Sequence, residues 1–476
     1  MPSVFSDLEI DEANQDDIAF ASSRLGKQVE RAKIVVLKSR ERRHVAVAGG
    51  SCDFRERDGC IRKPVYPAPD RPLWEGAHYR IAWPCLRMMH SVLTIIQVVA
   101  VLGILSSSLY YLLCLWSAVT FLRERDAESA SPTQDLPPVS ILKPLKGTDP
   151  EIYESFRSHC LQDYPEYEII FGVNDANDPA IESVKALQRE FPERRIQLVV
   201  SPKILGANVK VSNLAQMLAE ARHDHLIVND SDIRVTPDYL RRVTAPLADP
   251  RIGMVTCLYR GVPGATLGSR LEALGISTDF CTGVLAARQL EGGIRFGLGS
   301  TLAFRRTQLE KIGGFTSFVD YLADDYELGK RIAALGLTVK LSEVVVETFL
   351  PSYRLPEFFA HQLRWARGVR DARKGGYFGL VFTFGVFWAL LALVASGAAL
   401  WACAALAVTL FLRLAVALVV GRGVLQDRRV LKEAWLIPPR DLLAVVVWLV
   451  SLGGHTVTWR GDRFTLKDGK LTRVQP

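Results

Sequence analysis

The sequence predicts an α/β fold, a parallel sheet covered by helices, with apolar helices on both sides of it in the chain. Three observations predict it. Short apolar runs alternate with helical patterns between residues 139 and 248, the mark of parallel strands joined by helical crossovers. Asn174-Asp175 and Asn229-Asp230-Ser231-Asp232 close two of the predicted strands, and in such sheets ligands sit at the carboxyl ends of strands. Residues 91–122 and 377–412 contain no charged side chain.

Taken in order, 139–143 reads as a buried strand, 151–161 as a helix, 168–173 as a strand and 181–191 as a helix. A strand at 196–200, a helix at 210–221, a strand at 225–228 and a helix at 237–248 follow. The last has Thr236 as its expected N-cap and Pro237 at its first position. Farther on, 326–335 reads as a helix closed by Gly336.

The run 91–122 is long enough for one span, since about 20 apolar residues cross a bilayer core. The second run continues past Arg413 to Val420, a length for two spans joined at Ser396-Gly397-Ala398-Ala399. A third stretch, 442–457, is short for a span. Basic residues flank these runs, among them Arg123, Arg125, Arg422, Arg428, Arg429 and Lys432, which marks the cytoplasmic side. The division is then a poorly structured extension (1–87), a membrane helix (88–122), a linker (123–138), the catalytic domain (139–352), an interfacial helix (353–376), two to three membrane helices (377–458) and a basic tail (459–476). Met88-Met89 opens directly onto the first span, so residues 1–87 read either as a tail or as sequence upstream of the true start. Three spans after a cytosolic domain would put the tail outside, yet Arg460, Arg463, Lys467, Lys470 and Arg473 favour inside. One apolar segment, 442–457, is therefore expected to be interfacial or re-entrant.

Apolar residues make up 49% of the chain and mean hydropathy is +0.13, low for a transporter. Within the apolar runs the ionisable Arg413 stands alone, which also argues against a transport pathway. The net charge of +7 gathers beside the apolar runs instead of forming a basic, aromatic stripe, so a nucleic-acid partner is excluded. Eight scattered cysteines without a C-x-x-C pair indicate neither a zinc site nor a disulfide framework.

Asp230 and Asp232 are two apart, so in an extended stretch both carboxylates point the same way. Mg2+ and Mn2+ take hard oxygen ligands, typically one or two carboxylates plus substrate phosphates. The pair is the candidate metal site, and an Asx turn into the next helix is the plain alternative. Asp324 and Asp325 precede a helix, where Asp324 can cap and Asp325 can complement the dipole. Asp325 is also the candidate general base. Arg364, Arg367, Arg370 and Arg373 recur every third residue among aromatics, as in an interfacial helix whose arginines hold headgroup phosphates. That reading is expected of Arg367, Arg370 and Arg373, whereas the guanidinium of Arg364, beside Trp365, suits a diphosphate. The turn at Gly206 leads into a helix at Lys210, either a phosphate cradle or a simple loop. Gly299 and Ser300, in a loop of small residues, and Asp324 are the candidate acceptor border.

The order of these segments resembles the ceramide glucosyltransferase family, glycosyltransferase family 21, which is related to family 2. The likeness is to its bacterial members associated with hopanoid biosynthesis. It is carried by Ile141-Leu142-Lys143-Pro144-Leu145-Lys146-Gly147, Asn174-Asp175-Ala176-Asn177-Asp178-Pro179, Gly206-x-Asn208-x-Lys210-x-x-Asn213, Asp230-Ser231-Asp232, Tyr321-x-x-Asp324-Asp325-Tyr326 and Arg364-Trp365. The resemblance implies a GT-A, Rossmann-like catalytic domain. It implies that Asp175 or Asp178 helps bind the nucleotide, with Lys143, Asn208 and Lys210 also on the donor side. Asp230 and Asp232 would hold metal and diphosphate, and Asp325 would be the base. The family's Gln-or-Arg, two residues, Arg-Trp motif falls on His361, Arg364 and Trp365, and the chain departs from it at His361.

The expected activity is inverting transfer of glucose or N-acetylglucosamine from a UDP-sugar to a hydroxyl of a membrane lipid, ceramide-like or hopanoid, with Mg2+ or Mn2+. The expected setting is a multi-pass protein of a bacterial inner membrane, its catalytic domain cytoplasmic. The rival readings are a processive polysaccharide synthase of family 2, which needs more spans for an extrusion channel, and a non-catalytic membrane scaffold. The scaffold has no reason to hold carboxylates at strand ends.

Overall fold

The computed structural model describes residues 75–128, 136–459 and 461–474. Residues 1–74 of the expected extension lie outside these. The helix Glu75–Glu128 starts inside that extension and continues past 122, where a linker was expected. The reason is that Tyr111, Cys114, Ala118 and Phe121 pack into the same core as the sheet. The C-terminal turns of this helix thus belong to the globule.

Eight strands form one sheet: Val139–Pro144 (β1), Tyr167–Val173 (β2), Arg195–Val200 (β3), His225–Val228 (β4), Ile233–Arg234 (β5), Ile252–Val262 (β6), Leu302–Arg305 (β7) and Thr338–Phe349 (β8). Their order is β3-β2-β1-β4-β7-β6-β8-β5. The first four are parallel to one another, and β7 runs antiparallel to both β4 and β6. This mixed α/β sheet is the GT-A arrangement. β1 and β2 are buried at every position, and apart from Ser140, Lys143 and Glu168 their residues are apolar or aromatic, as expected of strands covered on both faces. Ile141 and Ile169 face one core cluster, Leu142 and Ile170 the other. Helices Ile152–Cys160, Ala180–Glu190 and Tyr239–Thr244 cover the first face, and Val209–Met217 lies on the second. β2 and β4 flank β1, and the order reverses there, so the ends of β1 and β4 open a crevice.

The helix expected at 237–248 starts only at Tyr239 and ends as a 3-10 turn. Thr236 does not cap it, because its hydroxyl bonds the Asp238 carboxylate. Asp324 is not an N-cap either, since Ala323 occupies that position and the Asp324 carboxylate turns to Lys210.

The segment after Leu452 is not a loose basic tail. Thr456–Trp459 (β9), Asp462–Lys467 (β10) and Lys470–Arg473 (β11) form an antiparallel sheet, turned at Asp468-Gly469 with both residues at positive φ. This small sheet docks on the catalytic domain. Leu322 N donates to Gly469 O at 3.0 Å, and Leu471 N to Asp320 O at 2.7 Å. Lys374 meets Asp468 at 3.0 Å.

The expected headgroup arginines do other work. Arg367 donates to Thr456 O at 2.6 Å and Gly453 O at 3.0 Å, and Arg370 donates to Ser451 O and to Gly454 O. Arg373 pairs with Glu291. The helix Ile437–Leu452 ends at these carbonyls, and helix C-termini leave unsatisfied carbonyls that attract cations. The helix Leu355–Ala372 therefore clamps the chain end, with Arg370 buried in doing so.

Among the described residues three helices are long and apolar enough to cross a membrane, or four if the bent pair Lys374–Thr383 with Gly385–Ala395 is one span. The expected break at Ser396–Ala399 separates Gly385–Ala395 from Leu400–Ala417, with Gly397 and Ala398 at positive φ. Arg413 does not stand alone, because it forms a two-pronged ion pair with Asp441 at 2.8 and 2.9 Å. Arg440 pairs with Asp279 beside it at 2.8 Å.

Candidate active site

A cavity of about 430 Å³ lies over the ends of β1 and β4. Asp230, Asp232, Asp324 and Asp325 line it together with Arg364 and Trp365. Residues from both acidic clusters and from the arginine-rich helix thus meet in one place.

Lys210 is the keystone. Its Nζ bridges Asp230 Oδ1 at 2.7 Å and Asp324 Oδ2 at 2.9 Å. Burial works against its charge, but Asp230, Asp324 and Asp325 outweigh burial and hold it well above the ordinary lysine range. Asp325 accepts from Gly299 N at 2.8 Å through one oxygen, and from Tyr326 N at 2.7 Å through the other. A Cβ at Gly299 would sit 2.7 Å from Asp230 Oδ2 and 3.5 Å from Asp325 Oδ2, so a larger residue would push the Asp230 carboxylate aside. The two carboxylates therefore approach the cavity past the same backbone atom. Burial, then the charge of Asp324, pushes Asp325 up to about 6, with Lys210 pulling the other way.

Asp232 accepts from the Thr348 hydroxyl. Burial, then Asp230 and Asp149, pushes it up to about 6. Asp149, outside every motif read from the sequence, lines the cavity and takes the Ser231 hydroxyl. Lys143 is fully buried, donates to Asp230 O at 2.9 Å, and is drawn down to about 7 by burial despite the aspartates near it. It supports the Asp230 backbone and is not among the cavity-lining residues.

The residues present fit a divalent metal. Asp230 and Asp232 offer hard oxygen donors, and the charges of Asp230 and Asp149 act on Asp232, while Lys210 holds Asp230 Oδ1 and Asp324 Oδ2. Among the described residues no group of three acidic, histidine or cysteine side chains is placed to hold a metal ion, so the protein would supply at most the carboxylate pair. Magnesium-type sites take one or two carboxylates and complete their shell with phosphates and water.

Other donor-side candidates sit apart from the cavity wall. Asp178 accepts from Gly147 N at 2.9 Å and from Ala180 N at 2.9 Å, tying the loop after β1 to a helix start. Asp175 turns to Asn177 N at 2.9 Å, and it is the neighbouring Asn174 that lines the cavity. Asn208 is buried, accepts from Val211 N at 3.2 Å and donates to Tyr321 O at 2.7 Å. Gly206 leaves room for Val319, which a Cβ would meet at 2.4 Å. The turn at Gly206 is thus a docking loop for the segment leading to Asp324, and Asn208 itself caps the helix that could have cradled phosphate.

On the acceptor side, Gly299 and Ser300 line the cavity, although the Ser300 hydroxyl turns inward to Cys257 O at 2.8 Å. The rings of Tyr353, His361, Trp365, Phe280 and Tyr259 follow one another at centroid distances of 5.4, 5.4, 5.9 and 5.5 Å. They form an aromatic wall from the arginine-rich helix to β6. Glu272, also unread in the sequence, lies against His361. From the chain's far end, Trp459, Asp462 and Phe464 of the small sheet complete the lining. Asp149 and Glu272 are lone carboxylates without a spacing signal, whereas Asp468-Gly469 is a hairpin signal that does announce the small sheet.

The chain is 25% identical over 282 residues to ceramide glucosyltransferase 3 of Caenorhabditis elegans, an alignment covering 59% of this chain and 61% of that protein. It is 37% identical over 108 residues to the ceramide glucosyltransferase of Komagataella phaffii, covering 22% and 21% of the two chains. It thus spans less than two thirds of the length of these curated relatives. Among solved structures, a mannosyltransferase from Pyrobaculum calidifontis in complex with GDP-Man and Mn2+ superposes with a TM-score of 0.43 at 19% identity, covering 74% of this chain and 99% of that one. The family model of glycosyl transferase family 21 matches residues 99–472, most of the chain and all of the cavity described above. The chain belongs to glycosyl transferase family 21.

Proposed function

We propose that this cavity transfers a hexosyl group, glucose or N-acetylglucosamine, from a UDP-sugar to a hydroxyl of a membrane lipid, with inversion at the sugar. The ceramide glucosyltransferases it resembles favour a ceramide-like acceptor, and a hopanoid polyol is the second candidate. The observation that carries the reading is the meeting of Asp230, Asp324 and Asp325 around Lys210 and Gly299, opposite Arg364 and Trp365.

Asp230 and Asp232 would hold Mg2+ or Mn2+, which when bound supplies positive charge opposite the diphosphate. Asp325 takes the proton of the lipid hydroxyl as its oxygen bonds to the sugar and the sugar–diphosphate bond breaks. Arg364 faces the departing UDP, which leaves with the bonding electron pair. The aromatic wall offers an apolar bed for the lipid. Holding both substrates in line contributes more than any one group. Comparing the lipids of cells with and without this chain by mass spectrometry is the test. A hexosyl-lipid that disappears with the chain supports the reading, and an unchanged lipid profile rejects it.

The small sheet supports placing the tail on the same side as the catalytic domain. The chain must then cross the bilayer an even number of times, or not at all, between Ala372 and Gly453. We propose that Gly385–Ala395 and Leu400–Ala417 form a re-entrant hairpin. Gly385–Ala395 has 11 residues and reaches about 17 Å, against a hydrocarbon core of about 30 Å. Its end, Ala395 O, meets Gln97 Nε2 at 2.8 Å, while the first apolar helix extends on to Arg87. The last apolar helix, Ile437–Leu452, packs along the arginine-rich helix, which supports our reading that both lie in the membrane interface. A cysteine at Ser396 should resist impermeant maleimide from outside sealed cells, and one at Lys470 should react only after the membrane is opened. Labelling of Ser396→Cys from outside would reject the hairpin.

A further inference from the structure

Glu272 is a charged side chain 1% exposed, and the mechanism above leaves it without a task. Its Oε1 lies 2.8 Å from His361 Nδ1. Both atoms are sealed from water, and neither has a partner in hydrogen-bond geometry, so each has only the other to turn to. The other Glu272 oxygen is reached by Gln362 Nε2 at 3.3 Å. A buried carboxylate oxygen without a donor is costly, and for Glu272 Oε1 the nearby candidate donor is His361 Nδ1. When a carboxylate accepts a hydrogen bond from the Nδ1–H of a neutral histidine, Nε2 is left as an acceptor facing the other way. His361 lines the cavity, held between the rings of Tyr353 and Trp365.

We propose that Glu272 and His361 form a subsite that reads the acceptor. Glu272 fixes the Nδ1–H tautomer, and His361 Nε2 accepts a hydrogen bond from a second donor, an amide N–H or a hydroxyl, beside the reacting hydroxyl of an amphiphile. The ligand class is thus a lipid with two neighbouring donors, and a diacylglycerol, which has a single hydroxyl flanked by esters, is a poor acceptor. The charged and titratable groups facing His361 are Glu272 from the helix Leu267–Gly275, Tyr353 from the preceding turn and Arg364 from its own helix. His361 is here a binding residue at the position where the family carries Gln or Arg.

This inference rests on the lipid-transfer reading, and the experiment separates the two. The full chain in nanodiscs is given a UDP-hexose and, in turn, an N-acyl sphingoid base, its N-methyl, O-methyl analogue with a single free primary hydroxyl, and diacylglycerol. Wild type is expected to prefer the first by at least tenfold in kcat/KM. His361→Leu is expected to raise acceptor KM about tenfold with donor KM unchanged and to erase the preference. Glu272→Ala should do the same more weakly, and His361→Gln, whose amide oxygen can accept, should restore it. A His361→Leu protein that keeps its preference, or that loses kcat equally for every acceptor, overturns the subsite alone. Wild type that glycosylates no lipid overturns the lipid-transfer reading and the subsite with it.

Discussion

Asp325→Asn should lower kcat by 10²- to 10⁴-fold, the span typical of a lost general base, while binding of UDP-sugar stays within twofold. The amide keeps the size of the carboxylate and can still accept from Gly299 N, which now donates at 2.8 Å, so the loop that shapes the cavity is preserved. What is lost is an atom able to take the lipid's proton. Isothermal titration with UDP checks the binding half, and single-turnover transfer checks the chemical half. Retained turnover would remove Asp325 from the base role. The wild-type rate should also rise with pH through about 6 as Asp325 ionises, because burial and Asp324 hold its carboxyl at that level.

Lys210→Met should be the most disruptive change away from the reacting atoms. The ammonium is the shared partner of Asp230 and Asp324, 18% exposed itself, with Asp324 at 10% and Asp230 at 40%. Removing one partner of a buried pair leaves an uncompensated charge, at about 3–5 kcal/mol when fully buried. The exposure of Asp230 screens part of this, so about 2–3 kcal/mol of stability is expected, read as a lower unfolding temperature in detergent. The activity effect has a sign. Lys210 lowers the Asp325 pKa, so without it Asp325 ionises at higher pH. The acid limb of kcat/KM should move to higher pH, with a larger loss at pH 6 than at pH 8. Asp324→Asn should move the limb the opposite way, since Asp324 raises that pKa. A limb unmoved in both variants would detach the acidic cluster from the rate.

The parallel half of the fold was legible because β1, β2 and β4 are almost wholly buried and each carries a short apolar run, Ile141-Leu142, Ile169-Ile170-Phe171 and Leu226-Ile227-Val228. The half beyond β4, where β7 runs antiparallel to both its neighbours, was not read: β6 and β8, parallel to each other, carry polar residues such as Thr256, Arg260, Glu343 and Glu347 among their apolar ones. Of the site, Asp230, Asp232, Asp324, Asp325 and Arg364 do share a cavity. Their connection was invisible, because Lys210 lies in a different segment and no spacing announces a bridge. The arginine repeat misled for a related reason. Its period marks one helical face, and the partners of that face, the carbonyls of Ser451, Gly453 and Gly454, belong to the end of another helix. Side chains fixed by chain segments distant in sequence are set by tertiary packing, which local pattern does not encode.

Transfer by the purified full chain in nanodiscs, from a UDP-hexose labelled in the sugar to a lipid with a free primary hydroxyl, tests the central claim most directly. The predicted product is one lipid carrying a single labelled hexose, formed with divalent metal and lost in Asp325→Asn. Label in a polymer, in free sugar alone, or in a lipid that Asp325→Asn still produces would contradict it.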